Sequence, residues 1–323
     1  MSFLISLCLT VLLIPLVIRY RIVDRPNYRS IHTQETPKAG GIAILIGFLA
    51  GLFWSGQGTA YTSLAVLMIG AALLGLLDDL RNFNPRAKML GQLILAVLTC
   101  ALGYQFVLFG NVLDWLLTII WVIGFMNAFN LIDGMDGLAG GVAGIVTLFF
   151  FYLGIGKILP LCLPLLGALL GFLFFNFRPA KIFMGDTGSM FLGYLLSVMG
   201  ILLQQSSSSP WVGAIATVLL LAYPVFDTLL SIIRRKVHHR PIFAPDRSHS
   251  YNLLMDHVHL GYLATVFTVY GLTAAFGFLS LITYTRQSLA LAFILLAVVA
   301  ITLSLFVLRF NLLAESIYER SPR

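Results

Sequence analysis

The sequence predicts an all-α integral membrane protein of about eleven transmembrane helices, with the amino terminus outside and the carboxyl terminus in the cytoplasm. Three observations predict it. Of 323 residues, 59% are hydrophobic and only 10% are charged, and the mean hydropathy is +0.95; soluble domains carry roughly 25% charged residues. Apolar stretches of near-spanning length recur from end to end. Lys and Arg fall almost wholly in alternate loops.

The apolar stretches run over residues 2–19, 40–55, 60–77, 89–109, 112–129, 138–154, 158–175, 188–204, 211–233, 261–284 and 288–310. Several lie near the lower limit of about 17 residues for a crossing. An odd number of crossings puts the two termini on opposite sides and divides the loops into two sets. One set holds Arg19, Arg21, Arg25, Arg29, Lys38, Arg81, Arg86, Lys88, Arg178, Lys181, Arg234, Arg235, Lys236, Arg240, Arg247, Arg309, Arg320 and Arg323; the other holds Lys157 and Arg286. The positive-inside rule makes the first set cytoplasmic. This distribution accounts for the net charge of +7 without a nucleic-acid partner.

The first apolar stretch has no positive residue before it and no small-x-small cleavage pattern after it, so it reads as a span rather than a signal peptide. Cys8, Cys100 and Cys162 lie inside apolar stretches with no CxxC spacing, which points to neither disulfides nor zinc. There is no internal repeat and no Walker-type loop. Residues 1–323 read as a single polytopic domain.

The thirteen Asp and Glu residues are more telling. All but Asp114 fall in the predicted cytoplasmic loops or within reach of that face. A carboxylate at the centre of a span costs about 2.5 to 3.5 kcal/mol, and less near its end, so such residues mark function by default. Asp78 and Asp79 in GLLDDLRNFNPRAKML close the third span, followed by Arg81, Arg86 and Lys88. Adjacent helical residues diverge by about 100°, so the two carboxylates can serve different partners. A plain acidic end facing water is the competing reading.

Asn127, Asn130, Asp133 and Asp136 in NAFNLIDGMDGLAGG share one stripe if the segment stays helical; capping or turn roles compete for the two aspartates. In FNFRPAKIFMGDTGSMFLG, Asp186 stands between Gly185 and Gly188 at the start of a span, close to Asn176, Arg178, Lys181 and Phe183. It reads as a helix cap or a hard-cation ligand. Asp227 follows Pro224 inside the ninth stretch, where a proline kink is expected. The longest polar loop, RRKVHHRPIFAPDRSHSYNLLMDHVHLG, carries His238, His239, His249, His257 and His259. His249, beside Asp246, Arg247 and Ser248, fits phosphate recognition better than zinc binding.

An inner-face cavity with several carboxylates, fixed cations and no His or Cys cluster fits an oxygen-ligated magnesium ion and a diphosphate substrate. Phosphoryl transfer needs little more than positioning and charge neutralisation. A lipid phosphate supplies the second substrate, its tail in hydrocarbon and its head at the inner surface.

The segments GLLDDLRNFNPRAKMLGQ, NAFNLIDGMDGLAGG, NFRPAKIFMGDTGSMFLG and RRKVHHRPIFAPDRSHSYN, in that order, resemble the polyprenyl-phosphate N-acetylhexosamine-1-phosphate transferase family. The resemblance implies a magnesium-dependent transferase, with manganese as a substitute ion. It implies transfer of a sugar-1-phosphate from a UDP-sugar donor to undecaprenyl or another polyprenyl phosphate, with release of UMP. It places the protein in the bacterial inner membrane, with the active site on the cytoplasmic face and a homodimer compatible with it. Asp186 matches the magnesium-binding aspartate and Asn127 an asparagine completing that site. Phe183 falls where the uracil stacks, and Lys88 matches an active-site cation. Asn176 and Asp136 match nucleoside-binding positions, with Asn130, Asp133 and Arg247 beside them as substrate-binding candidates. Asp78, Asp79 and His249 complete the catalytic set.

The stretch His249-Ser250-Tyr251-Asn252 departs from the three-histidine run of phospho-MurNAc-pentapeptide transferases and from the His-x-His-His motif of the common-antigen enzymes. With PNYRSIHTQETPKAGG, it looks more like members that initiate O-antigen synthesis. Peptidoglycan precursor synthesis is the alternative within the family. A lipid-sugar transporter or flippase is the alternative outside it and predicts a polar track through the membrane, whereas the outer half here is nearly free of charge.

Overall fold

The computed structural model describes residues 1–24, 35–81, 83–241 and 249–314; Arg247 lies outside them. Among these residues the chain is a bundle of helices with one small sheet. Helix α1 (Ser2–Arg19) leads to β1 (Val23–Asp24), which pairs antiparallel with β2 (Thr36–Pro37). Then come α2 (Gly40–Trp54), a 3-10 turn (Gly58–Tyr61), α3 (Thr62–Arg81), α4 (Pro85–Ala101), α5 (Val112–Ile132), α6 (Leu138–Leu153) and α7 (Leu159–Asn176). The rest is α8 (Gly185–Gln205), α9 (Pro210–Leu220), α10 (Ala222–Val237), α11 (Ser250–Asp256), α12 (Tyr262–Arg286) and α13 (Leu289–Arg309).

Every predicted apolar stretch is helical, but not every one is long enough to cross unaided. Among the described residues seven helices are long and apolar enough to span, and eight if the bent pair α9 and α10 is one span. The expectation of about eleven overshoots this measure because α2 and α6 are short apolar helices of 15 and 16 residues. Helix α4 has 17 residues, with Arg86 and Lys88 in its first turns.

Local chemistry sets the boundaries. The Asn84 side chain accepts the Ala87 N–H at 2.8 Å and Pro85 opens α4, an arrangement that satisfies a first-turn donor and wastes none on the proline. That helix ends at Ala101, short of the predicted 109, because residues 104–110 fold back on Asp114. The buried Asp114 carboxylate accepts the N–H groups of Leu108, Phe109 and Gly110 at 2.8–3.0 Å, which a continuing helix would have used internally. The predicted single span 211–233 is likewise two helices, bent by 74° at Leu221. The break precedes Pro224, which sits in the first turn of α10, where its missing N–H costs no helical bond.

Helix α8 is the central pillar: 94% of its apolar window is buried, against 11% for α13 at the periphery. Helices α2, α3, α5, α6 and α9 pack around it. Lipid tails are as apolar as leucine, so helix association here relies on close packing and interhelical hydrogen bonds. Thr99 Oγ1 meets Tyr194 OH at 2.9 Å between α4 and α8, Ser6 Oγ donates to the Ala168 carbonyl at 2.7 Å, and Ser280 Oγ donates to Ala216 at 2.7 Å. Such bonds contribute roughly 0.6 kcal/mol each.

One close approach matters most for function. At Gly75 a Cβ would lie 2.2 Å from the Asp186 carbonyl oxygen, so α3 touches the first turn of α8 through the missing side chain. Gly75→Ala is therefore expected to separate the two helices and destabilise the fold by about 1–3 kcal/mol, read as a lower melting temperature in detergent.

Candidate functional site at one end of the bundle

The chain runs up and down, so the C-terminal ends of α3, α5 and α7 and the N-terminal starts of α4, α6 and α8 meet at one end of the bundle. All the predicted carboxylates except Asp227 lie there. The two members of the aspartate pair do different things. Asp79, with its side chain 2% exposed, reaches across to cap α8. Its Oδ1 accepts the Asp186 N–H at 3.1 Å, and its Oδ2 accepts the Thr187 N–H at 3.0 Å and the Thr187 hydroxyl at 2.8 Å. The first N–H groups of a helix have no internal acceptor, and a carboxylate there also opposes the positive end of the helix dipole. Gly185, at φ +69° and pressed against this carboxylate, lets the chain enter the helix in a left-handed turn.

Asp78 faces the other way. It accepts the Phe83 N–H at 2.8 Å and the Lys88 ammonium at 2.8 Å. Lys88 Nζ also meets Asp186 Oδ2 at 2.5 Å, so one ammonium bridges α3 and α8 from the first turns of α4. Asp186 Oδ1 takes a 2.8 Å bond from Asn130 Nδ2, which lies 3.2 Å from Ser189 Oγ as well. Asn130 rather than Asn127 is thus brought to Asp186. Asn127 turns to α4, where Nδ2 donates to Gln92 Oε1 at 2.8 Å. The two asparagines share a stripe, but only one faces α8.

The turn between α5 and α6 is held from three sides. Asn176 is buried and spends its amide on backbone, accepting from Gly137 N at 3.0 Å and donating to the Ile182 carbonyl at 2.9 Å. Asp136 Oδ2 accepts the Ala180 N–H at 3.1 Å, and its own N–H donates to Tyr262 OH. Tyr270 OH donates to the Gly137 carbonyl at 2.6 Å, and the Arg178 guanidinium lies 3.5 Å from the centre of the Tyr262 ring. Asp133 projects from this turn. Burial pushes its carboxyl well above the usual carboxylate range, and the charges of Asp186, Asp79, Asp136 and Asp24 push the same way.

Phe183 is half-buried and positioned by backbone pairing. Its N–H donates to the Pro37 carbonyl at 2.8 Å, and its carbonyl accepts from Gly40 N at 2.9 Å. That pairing carries Lys38 to within 3.5 Å of Asp79 Oδ1. Sequence reading passed over Lys38 as a site residue; its place before the Gly40-Gly41 pair at the start of a helix was the available signal. His249 belongs to a second cluster with Asp227, joined to the first through Tyr251, whose hydroxyl donates to the Leu131 carbonyl at 3.1 Å and whose ring abuts Gly134 beside Asp133.

Five aspartates thus gather at this end of the bundle with Lys38, Lys88 and Arg178 among the described residues, and carboxylate oxygens suit a hard cation. Among the described residues no group of three or more His, Cys, Asp or Glu side chains forms a ready-made cage. Magnesium asks for none, since it keeps several waters and binds through one or two carboxylates together with substrate phosphates.

Residues 61–204 match the model of glycosyl transferase family 4. The chain is 40% identical to a probable undecaprenyl-phosphate N-acetylglucosaminyl 1-phosphate transferase of Bacillus subtilis, over 79% of this chain and 76% of the relative. It is 30% identical to a decaprenyl-phosphate N-acetylglucosaminephosphotransferase of Mycolicibacterium smegmatis, over 90% of this chain and 82% of that one. A phospho-N-acetylmuramoyl-pentapeptide-transferase of Geobacillus kaustophilus is 34% identical over 62% of this chain and 72% of its own length.

The two aspartates are expected to separate experimentally. Asp79→Ala orphans three donors at the head of α8 and should cost about 2–4 kcal/mol, visible as a fall in melting temperature. Asp78→Ala, which leaves that helix cap intact, should melt near the wild type.

Proposed function

Because the chain belongs to glycosyl transferase family 4, the polyprenyl-phosphate N-acetylhexosamine-1-phosphate transferases, we propose that it transfers N-acetylhexosamine-1-phosphate from a UDP-sugar to a polyprenyl phosphate. The observation that carries this reading is the Asp186 cluster. A carboxylate at the head of the central helix is bridged by Lys88 to Asp78 and bonded by Asn130. The names of the relatives favour N-acetylglucosamine as the sugar and undecaprenyl or decaprenyl phosphate as the acceptor.

A phosphate monoester has its second pKa near 6 and is mostly dianionic at pH 7. An oxygen of the lipid phosphate attacks the β-phosphorus of the UDP-sugar, the bond to the bridging oxygen breaks, and UMP leaves with the electron pair. No side chain has to remove a proton. Asp186 would hold a magnesium ion, with Asp78 and the amide oxygen of Asn130 as further oxygen donors and manganese as a substitute, while Asn127, matched to that site by resemblance, is turned to Gln92. Bound there, the ion would neutralise charge on the diphosphate and polarise its oxygens. Lys88 adds a fixed positive charge against the phosphates. Phe183 offers a flat face to the uracil, and Asn176 and Asp136 shape the turn on which Asp133 meets the nucleoside.

The reaction needs one face only. The Lys and Arg asymmetry supports eleven crossings with the amino terminus outside, the short helices α2, α4 and α6 crossing within the bundle, and the site on the cytoplasmic face of a bacterial inner membrane. The likeness of the PNYRSIHTQETPKAGG and RSHSYN segments to O-antigen-initiating members favours a product that starts a cell-surface polysaccharide.

Purified protein in nanodiscs, given magnesium, undecaprenyl phosphate and UDP-N-acetylglucosamine among a panel of UDP-sugars, is expected to release UMP and form a lipid diphosphate sugar. Chelation should stop release, and magnesium or manganese should restore it. Asp186→Asn should lower turnover by about 10²-fold or more while the protein still folds. No UMP from any sugar would sink the reading, and a phosphorylated enzyme formed without lipid acceptor would replace direct attack by a covalent route. In intact cells, a cysteine placed at Ser208 should react with an impermeant maleimide added outside.

A further inference from the structure

Asp227 is the one aspartate buried deep in the bent α9–α10 segment, and the chemistry above makes no use of it. It is fully buried on α10, and both its oxygens point at the start of α11. Oδ1 accepts the Ser250 N–H at 2.6 Å, and Oδ2 lies 2.9 Å from Nδ1 of the buried His249. Ser231, one turn along α10, places its hydroxyl 3.3 Å from the same nitrogen, and Tyr223 OH meets Ser250 Oγ at 3.1 Å. On its other side the imidazole stacks on Tyr251, with ring centres 5.6 Å apart and planes within 11°. The ring is thereby clamped between the bent segment and the turn that carries Asp133.

We propose that Asp227 is a positioning residue for His249: it holds a proton on Nδ1 and fixes the ring plane, so that Nε2 is the nitrogen His249 presents to the donor diphosphate. An ionised carboxylate only accepts hydrogen bonds, so Nδ1 must carry its hydrogen, and Nε2, on the opposite edge of the ring, is where the imidazolium gives a hydrogen bond or a proton to the oxygen on which UMP leaves. A carboxylate behind an imidazole also stabilises the imidazolium when it forms, as in Ser-His-Asp triads. The second oxygen makes the arrangement specific. Because Oδ1 is committed to a backbone N–H that has to be satisfied, an asparagine in this place must turn its oxygen to Ser250 and its NH₂ to His249. The ring would then be driven to carry its hydrogen on Nε2 and pinned neutral.

This inference rests on the transferase reading, and its test separates the two. The full-length protein in nanodiscs, labelled with ¹⁵N-histidine and assigned by difference against His249→Gln, reports the tautomer directly. The wild type should show a protonated Nδ1, and Asp227→Asn an unprotonated one. Asp227→Asn should lower kcat for UMP release from UDP-N-acetylglucosamine by roughly 10²- to 10⁴-fold with KM unchanged, and Asp227→Glu should recover part of the loss. An unprotonated Nδ1 in the wild type overturns the proposal without any variant, so misfolding of the asparagine form does not shield it. Unchanged kcat in Asp227→Asn, or lost kcat with Nδ1 still protonated, overturns it as well. If the wild type releases no UMP from any UDP-sugar, it is the transferase reading that falls, and the tautomer measurement still decides the Asp227 and His249 pair.

Discussion

The structure turns on one carboxylate from one helix capping another. Asp79 closes the open N–H groups at the head of α8, and α8 is the element around which the bundle is built. The cap does two jobs at once. It meets the demand that backbone polar groups near hydrocarbon be satisfied within the protein, and it sets the direction in which the next side chain, Asp186, leaves the helix. Lys88, Asp78 and Asn130 then converge on Asp186 from three other helices. The contact at Gly75 is the steric counterpart of the same joint.

Much of this was legible in the sequence, because composition and hydrophobic length report directly on the solvent a chain is built for. The apolar stretches contain the long helices, and the described residues of the four polar motifs lie at helix ends. What escaped was through-space. Nothing local to Asp78-Asp79 says which of the pair will cap a helix more than a hundred residues later. Helical spacing puts Asn127 and Asn130 on one stripe, but the rotation of α5 against α8 decides that Asn130 reaches Asp186 while Asn127 turns to Gln92. Asn176 has the composition of a ligand contact, yet its amide is used to tie Gly137 to Ile182. One break escaped for the same reason, since Asp114 unwinds the end of α4 from the far side of a loop; the other, the bend at Leu221, falls in the turn before Pro224, where a proline kink is expected.

The site is charged out of balance by design of its neighbours. Asp133 sits among four other carboxylates that raise its affinity for a proton, and Lys38 and Lys88 are the cations the described residues bring to the Asp78, Asp79 and Asp186 cluster. A carboxylate cluster of this kind is relieved by whatever positive charge enters with substrate. Rigidity comes from elsewhere, through bonds that spend side chains on backbone: Asn176, Tyr262 and Tyr270 around one turn, and Asp227 around another.

The pairing of the start of α2 with the segment before α8 also bears on how the protein is made. Gly40 and Gly41 donate their N–H groups to the carbonyls of Phe183 and Met184, so the head of an early helix is completed by residues that the ribosome adds more than a hundred positions later. At about 5–20 residues per second, α2 waits on the order of ten seconds or longer with those donors open to water or lipid headgroups. Insertion of the first helices and closure of the site are therefore separate events in time, and the head of α2 is completed only after the segment leading into α8 has been made.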